Sequence, residues 1–261
     1  MPQILVFAYG SRFLSPDGRC HTFDERANGY ARGEAIACLI LKPLATALHD
    51  GDPIRAIIRG TGSNQDGRTP GITLPSGTAQ EALIRDVYTR AGLCHSETEV
   101  VEAHGTGTQA GDPVEVGAIA RAFELGQDPD RVLRIGSMKT NVGHLEGASG
   151  VAGVIKAIMM LERLIILPSH NFETPNPRIA FKEWNLRVSQ AVLTSLVVIN
   201  VNKRRCHKPP SPGIRQGRIA CRSTASGMAV ATLMSLLRML WVIYQSEVCS
   251  DGFEARHKPC E

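Results

Sequence analysis

Apolar positions in the first 190 residues form short continuous runs that alternate with longer stretches of helical spacing. Residues 35–41 are an unbroken apolar run, and residues 54–58 (IRAII), apolar apart from Arg55, predict a second strand that ends at Gly60 and Gly62. Such runs are typical of strands buried on both faces. Two further short segments, residues 99–103 (EVVEA) and 132–136 (VLRIG), are also predicted to be strands.

Helical periodicity predicts three helices between these strands, over residues 78–91, 112–125 and 147–162. Thr78 and Glu81 have the spacing of a capping box, and Gly92 is a natural C-terminal cap for the first helix. Small residues fill the first two turns of the third helix, which predicts that it is buried. Strands that alternate with helices predict a mostly parallel, layered α/β fold.

This pattern ends near residue 190. Several prolines interrupt a basic stretch, and residues 228–244 are then almost wholly apolar with one charge at Arg238. A run of this length is borderline for a membrane span, and a core helix or a non-native readthrough are the alternatives. We therefore divide the chain into a domain over residues 1–190 and an irregular or disordered tail over residues 191–261.

The composition is that of a globular protein, with 43% hydrophobic residues, 21% charged residues and a net charge of +4. This charge requires no nucleic acid, although the basic segment at residues 200–222 leaves an RNA-binding or membrane-binding arm as an alternative. The seven cysteines include no CxxC pair, so we expect reduced thiols and no metal site. The first residues lack the features of a signal peptide, and we expect a cytoplasmic protein.

Candidate chemistry lies in two loops that each follow a predicted strand. Residues 102–108 (EAHGTGT) contain His104, and residues 137–147 (SMKTNVGHLEG) contain Lys139 and His144. The carboxyl ends of parallel strands meet at one edge of a sheet, where sites commonly form. Two imidazoles there can donate hydrogen bonds to a developing oxyanion or transfer protons, and a lysine nearby shifts their pKa values.

Each signal alone has a structural explanation. A single histidine is more often a structural residue, the GTGT segment alone is consistent with a turn, and Lys139 alone with a surface charge. The combination is more specific than any of its parts. The sequence of residues 102–108 resembles, at every position, the first histidine motif of the ketosynthase family within the thiolase superfamily.

Further segments carry the same resemblance. Residues 139–144 (KTNVGH) match the lysine–histidine motif of the family, and the match continues at residues 14–34, 60–67 and 111–115. The segment NFETPNP after Leu167 and Pro168 is most similar to fungal-type reducing polyketide synthases. The resemblance covers about residues 2–188. It implies an incomplete thiolase-like fold with α-β-α layers, mostly its C-terminal half.

The resemblance also implies an activity, which is the decarboxylative Claisen condensation of an acyl thioester with a carrier-bound malonyl unit. In the family, residues at the positions of His104 and His144 assist decarboxylation and hold the thioester oxygen, and Lys139 orders the second histidine. Thr106 and Thr108 would contact the phosphopantetheine arm, and we group Asn141 with them. The implied partners are an acyl carrier protein and a second subunit of a homodimer. No bound cofactor, metal, nucleic acid or membrane is expected.

The nucleophilic cysteine of the family lies in a DTACSS motif, and this motif does not occur in the sequence. Cys20 and Cys38 are not substitutes, because neither lies in a segment that would activate a thiolate. We therefore expect the chain alone to be inactive in condensation. The alternatives are a non-catalytic interaction or dimerisation fragment and a membrane-associated protein that uses residues 228–244.

A shift of the reading frame would account for the sequence of the tail. If residues 222–244 are read in the frame that starts at each third codon base, permitted codons can encode VNSLGHGGSNAHVIIEDALGYL. The family normally ends with a segment of this kind. We therefore interpret residues 191–261 as a frame-shifted readthrough, and sequencing of the transcript decides this hypothesis.

Overall fold

The structure is a computed structural model that describes residues 13–71, 74–194, 229–234 and 239–244. The described α-helices are α1 (Leu44–Asp50), α2 (Gly77–Ala91), α3 (Gly111–Ala122), α4 (Lys139–Val142) and α5 (Ser149–Arg163). The described strands are β1 (Ile57–Ser63), β2 (Thr98–Glu102), β3 (Leu133–Gly136), β4 (Ile165–Ile166), β5 (Leu186–Val188), β6 (Leu193–Thr194), β7 (Ala229–Met234) and β8 (Met239–Tyr244). Short 3-10 turns lie at His95–Glu97 and Glu146–Ala148.

The predicted layered α/β architecture is confirmed. Six strands form one sheet in the order β1-β8-β7-β2-β3-β5, and β4 pairs with β6. Strand β2 runs parallel to β3 and to β7, and β3 runs parallel to β5. Strand β8 is antiparallel to both of its neighbours. The carboxyl ends of β2 and β3 therefore meet at the same edge of the sheet, as the sequence predicts.

The main hydrophobic core lies between this sheet and helices α2 and α3. Its largest fully buried side chains include Tyr88, Phe123, Ile119 and Ile135. A second cluster joins Val100 to the buried face of α5. Burial of α5 is as predicted, and its glycines lie on this buried face. The two clusters fix the positions of β2 and β3, whose ends carry the histidine loops.

Helix α2 and strand β1 differ in detail from the sequence prediction. Helix α2 begins one residue early, and Ser76 rather than Thr78 caps it by accepting the amide hydrogen of Ala79. Strand β1 runs through Gly60 and Gly62 instead of ending there. A Cβ atom at Gly62 would lie 2.5 Å from Val87 Cγ2, so the glycines allow the strand to approach α2 closely.

The strand predicted at residues 35–41 is wrong. The structure assigns no strand to this segment, which we call the apolar strip, because no described strand pairs with it. Its backbone leads directly into α1 at Leu44. Ile36 and Ile40 are almost completely exposed, whereas an apolar run of this kind is normally buried.

Within the apolar run at residues 228–244, the described residues 229–234 and 239–244 form two strands of the central sheet, β7 and β8, rather than a helix. Among the described residues no helix combines the length and hydrophobicity that crossing a bilayer requires. The basic segment at residues 200–222 lies outside the described residues, as does most of the tail in which we place the frame shift.

Candidate active site

The two histidine loops meet at the carboxyl ends of β2 and β3. The imidazole rings of His104 and His144 lie edge to face, with ring centroids 5.2 Å apart. The tilted ring of Tyr30 lies 5.0 Å from that of His144 on another side. The structure thus brings together the two histidines that the sequence singles out. Two imidazoles at this separation can contact the same small oxygen-bearing group.

Main-chain hydrogen bonds hold His144 against residues 31–33. Its amide donates to the carbonyl oxygen of Ala31 at 2.7 Å, and its carbonyl oxygen accepts the amide hydrogen of Gly33 at 3.0 Å. Gly143 precedes it at a φ of +75°, where a Cβ atom would contact the Ala31 carbonyl oxygen at 2.9 Å. Only glycine fits this close approach without strain.

The His144 ring is held in one tautomer. Its Nδ1 accepts the main-chain amide hydrogen of Glu146 at 2.9 Å, and the Ser149 hydroxyl lies 3.1 Å from the same atom. Ser149 Oγ in turn accepts the amide hydrogen of Leu145, so its own proton is free to point at Nδ1. Because a main-chain N–H can only donate, Nδ1 carries no proton and the neutral ring carries it on Nε2. His144 is therefore a hydrogen-bond donor at Nε2.

Two buried carboxylates of helix α3 hold the backbone of the first loop. Glu115 accepts the amide hydrogens of His104 at 2.7 Å and Gly105 at 2.9 Å, one on each oxygen. Asp112 accepts that of Gly107 at 3.1 Å on one oxygen and that of Phe23 at 2.7 Å on the other. The loop is therefore fixed by side chains that follow it by only a few residues. Such bonds to ionised groups are among the stronger hydrogen bonds in proteins.

Lys139 connects the second loop to the first. Its Nζ donates to the main-chain carbonyl oxygen of His104 at 2.7 Å, and the Ser137 hydroxyl donates to the same oxygen at 3.1 Å. The Lys139 side chain is buried. In the described contacts it orders the backbone of His104, whereas the family resemblance assigns its ordering role to His144.

Glu102, the last residue of β2, is a second connection between the loops. Its Oε1 accepts the amide hydrogen of Met138 at 2.6 Å, and its Oε2 accepts a hydrogen bond from Lys156 Nζ at 2.6 Å. Both side chains are largely buried, at 3% and 13% relative exposure. This pair therefore ties helix α5 to the points where both loops leave the sheet.

Electrostatics keep both imidazoles neutral. Burial, together with the charges of Lys139 and Arg32, lowers the pKa of His144 to about 3. Burial, Lys139 and His144 lower the pKa of His104 well below its usual value. Removing a cationic imidazole from water beside a lysine is unfavourable, so both rings are neutral near pH 7.

The pKa values of the buried carboxyl groups shift upward, in the opposite direction to those of the histidines. Burial raises the pKa of Glu115 and raises that of Asp112 to about 7, against the amide hydrogen bonds that favour their charged forms. Burial also lowers the pKa of Lys139, while the charges of Glu115 and Glu102 oppose this change. The protonation states of Asp112, Glu115 and Lys139 therefore depend on one another.

The three predicted binding residues lie in two places. The hydroxyl groups of Thr106 and Thr108 lie 3.2 Å apart on the first loop. Asn141 instead lies on the rim of a cavity of about 550 Å³, whose lining includes Lys139, Cys20 and His170.

Neither described free thiol is placed as a nucleophile for the histidine pair. Cys20 is buried, its sulfur accepts the amide hydrogen of Ala31 at 3.2 Å, and burial raises its pKa. Cys38 is exposed in the apolar strip. Cys94 is in a disulfide, contrary to the expectation of reduced thiols. Within the described residues, no group of three or more His, Cys, Asp or Glu side chains could hold a metal ion.

Asp112 and Glu115 lie in the first turns of the helix predicted over residues 112–125, but the sequence did not predict their contacts with the loop. The signal that could have revealed them is the GDPxE segment, which places two acidic residues in the first helical turns after a glycine-rich loop. Lys156 and Ser149 carried no local signal, because their contacts with residues 102 and 144 depend on the packing of α5.

Comparisons with known proteins agree with this geometry. Residues 2–47 match the family model "Beta-ketoacyl synthase, N-terminal domain", and residues 55–173 match "Beta-ketoacyl synthase, C-terminal domain". The chain is 65% identical over 181 residues to "Highly reducing polyketide synthase tstA" of Talaromyces stipitatus, which covers 69% of this chain. It is 60% identical over 187 residues to "Reducing polyketide synthase PKS1" of Cochliobolus heterostrophus, which covers 72% of this chain. The chain spans 7% of the length of each relative.

Solved structures give the same result. The ketosynthase from module 6 of the bacillaene synthase of Bacillus subtilis 168 matches the whole chain with a TM-score of 0.78 at 31% identity. The oxazolomycin ketosynthase domain OzmH KS7 of Streptomyces albus JA3453 matches 99% of the chain with a TM-score of 0.77 at 30% identity. The chain covers 40% and 42% of these two proteins.

Proposed function

Because the chain belongs to the beta-ketoacyl synthase family over residues 2–47 and 55–173, we propose that it forms the histidine side of a polyketide ketosynthase active site. The substrate of this side is a malonyl thioester carried on the phosphopantetheine arm of an acyl carrier protein. The reaction that the site performs is decarboxylation of the malonyl group to a thioester enolate.

The observation that carries this proposal is the neutral, edge-to-face pair of His104 and His144. In decarboxylation the bond between the α-carbon and the carboxylate breaks, CO2 leaves, and the electron pair becomes an enolate on the thioester oxygen. Nε2–H of His144 donates to that oxygen because Nδ1 is already occupied. Donors that are oriented before the reaction stabilise such a charge without reorganisation.

The buried carboxylates and Lys139 act as positioning residues. Glu115 and Asp112 hold the main chain of the first loop, and Lys139 holds the His104 carbonyl oxygen. Their bonds keep the ring separation fixed while charge moves to the substrate. Thr106 and Thr108 lie on the same loop and would contact the phosphopantetheine arm that delivers the malonyl group.

Condensation requires an acyl group on a thiol, and the described residues offer no activated thiolate beside the histidines. We therefore assign to this chain the decarboxylation half-reaction. The carbon–carbon bond forms when a thiol-bearing partner surface completes the site. In the family this complete site is part of a homodimer.

The proposal is tested with the full chain and malonyl-pantetheine, measuring CO2 release and formation of acetyl-pantetheine. We expect slow turnover that His104→Gln or His144→Gln lowers by about 100-fold, since each removes an oriented donor. His49→Gln is the control, because His49 is exposed on α1. Turnover that is equal in all four proteins would refute the proposal.

A further inference from the structure

An ion pair between Arg32 and Glu146 lies next to the His144 ring. Arg32 Nη1 donates to Glu146 Oε1, and the two side chains have 27% and 28% relative exposure. Arg32 lies in the part that matches the N-terminal ketosynthase domain, and Glu146 lies in the part that matches the C-terminal domain. The pair therefore joins the two parts of the chain beside one of the two histidines.

The main chain fixes Arg32 alongside His144. The two residues form a strand-like bridge, in which the amide and the carbonyl oxygen of His144 are both hydrogen-bonded to the neighbours of Arg32. From this anchored backbone the guanidinium reaches Glu146, which follows His144 by two residues. Arg32 thus determines where the Glu146 carboxylate lies relative to the imidazole.

Glu146 presents two groups to the same ring nitrogen. Its main-chain amide donates to His144 Nδ1 at 2.9 Å, while its carboxylate Oε1 lies 3.9 Å from that atom. The amide can bond only to an Nδ1 without a proton, whereas a carboxylate favours an Nδ1 that carries one. The group that contacts Nδ1 therefore decides which nitrogen of the neutral ring is protonated.

The His144 ring cannot avoid this choice. It is neutral and carries a single proton, because burial and the charges of Lys139 and Arg32 lower its pKa. The rings of Tyr30 and His104 lie against it, with centroids at 5.0 and 5.2 Å. These neighbours restrict the rotation that would take Nδ1 away from Glu146.

The backbone of Glu146 also needs support. Its φ of +50° lies in the left-handed region, which residues other than glycine seldom adopt. Such a conformation persists where the surrounding contacts hold it. The bonds of Glu146 to Arg32 and to His144 are two contacts of this kind.

We propose that Arg32 is a positioning residue for His144. By binding the Glu146 carboxylate, Arg32 keeps that group away from Nδ1, leaves Nδ1 to the main-chain amide and so keeps the ring proton on Nε2. This inference rests on the proposed function, in which Nε2–H donates to the thioester oxygen. Without Arg32 the carboxylate accepts a hydrogen bond from Nδ1–H, and Nε2 then presents a lone pair to the developing oxyanion.

The experiment measures the tautomer of His144 in the full chain by two-dimensional NMR of the ring nitrogens near pH 7, with His144→Gln to identify the signals. We expect Nε2–H in the unchanged chain and Nδ1–H in Arg32→Gln. Decarboxylation of malonyl-pantetheine by Arg32→Gln should fall by about tenfold or more, because the oriented donor is lost.

The double variant Arg32→Gln/Glu146→Gln separates this role from simple support of the fold. It removes the competing carboxylate together with the guanidinium, so the main-chain amide should regain Nδ1. We expect the Nε2–H tautomer to return and most of the lost turnover to recover. A pair that only stabilised the structure would give no recovery when its second member is also replaced.

Arg55→Gln is the matched control, because it breaks a similar ion pair with Glu162 near the other end of α5. It should change neither the tautomer nor the turnover. Arg32→Lys keeps a cation beside the carboxylate and should retain Nε2–H. An Arg32→Gln chain that keeps the Nε2–H tautomer, or a double variant no more active than Arg32→Gln, would overturn the proposal.

Folding of each variant is checked by circular dichroism. If Arg32→Gln does not fold, Glu146→Gln and Arg32→Lys decide, because both should keep the proton on Nε2. An Nδ1–H tautomer in either of these variants would show that Arg32 does not act by restraining the carboxylate.

The two proposals fail in different ways. If the tautomer follows Arg32 as expected but no protein decarboxylates malonyl-pantetheine, the role of Arg32 stands and the proposed function is lost. If decarboxylation depends on His104 and His144 but the tautomer is the same with and without Arg32, the proposed function stands and the role of Arg32 is wrong.

Discussion

Lys139 Nζ donates a hydrogen bond to the main-chain carbonyl oxygen of His104 at 2.7 Å, so the second histidine loop holds the first. This contact couples the two loops through one buried side chain. It also places a cation near both imidazoles, and that cation is the second cause of their lowered pKa values after burial.

Lys139→Met should raise the pKa of both histidines but leave them below the usual value, because burial remains the larger cause. Two-dimensional NMR of the ring nitrogens as a function of pH measures this change. Lys182→Met, at an exposed lysine, is the control. Unchanged histidine pKa values in Lys139→Met would show that the lysine is neutral or distant in solution.

The His144 ring should make stability depend on pH. Its pKa of about 3 in the folded protein lies below the value of an unfolded histidine, so the unfolded chain binds more protons between these values. The stability associated with neutral His144 is complete above about pH 6.5 and is lost as the pH falls toward 3, by at most about 1.4 kcal/mol per pH unit.

Urea unfolding of the unchanged chain and of His144→Gln between pH 4 and 8 tests this expectation. The difference between the two free energies of unfolding should shrink as the pH falls. The comparison is needed because Asp112, whose pKa is raised to about 7, has the opposite effect. Its contribution is complete below about pH 4 and is lost as the pH rises toward 7. A constant difference between the two proteins would contradict the assignment.

Removing one partner of the buried pair of Glu102 and Lys156 should destabilise the protein more than replacing both. Lys156→Met leaves a buried carboxylate without its cation and should lower the free energy of unfolding by about 3–5 kcal/mol. The double variant Glu102→Gln/Lys156→Met should recover part of that loss. Denaturant unfolding of Glu102→Gln, Lys156→Met and the double variant completes a double-mutant cycle. Losses of stability that simply add in the double variant would mean that the two residues do not interact.

Gly62→Ala should destabilise the protein by about 1–3 kcal/mol, because the added methyl group meets Val87 and Leu83 on α2 within 3 Å. Gly147→Ala is the matched control, since no atom lies within 4 Å of a Cβ atom built there. Thermal unfolding of the two variants compares them directly. Equal melting temperatures would mean that α2 moves away from β1 without cost.

Local sequence signals predicted much of the fold and the centre of the site. Gly92 ends helix α2 in the left-handed conformation, as its position indicates. Both histidine loops follow strands whose carboxyl ends lie side by side. These features depend on periodicity and on residues that are near one another in the chain.

The predictions that failed depend on distant partners. Residues 35–41 have the composition of a buried strand, but a strand needs a neighbour, and no described segment pairs with them. Strand β1 extends through two glycines because α2 lies against it, which no local rule anticipates. The contact of Glu102 with Lys156 spans 54 residues, so only the packing of α5 reveals it.

The hydrogen bonds at Nδ1 of His144 limit how this ring can transfer protons. A ring that accepts main-chain and hydroxyl hydrogens at one edge has only its other edge for chemistry, so it cannot relay a proton from solvent across itself. In the proposed decarboxylation, a proton that quenches the carbanion must therefore reach it by a route other than this ring.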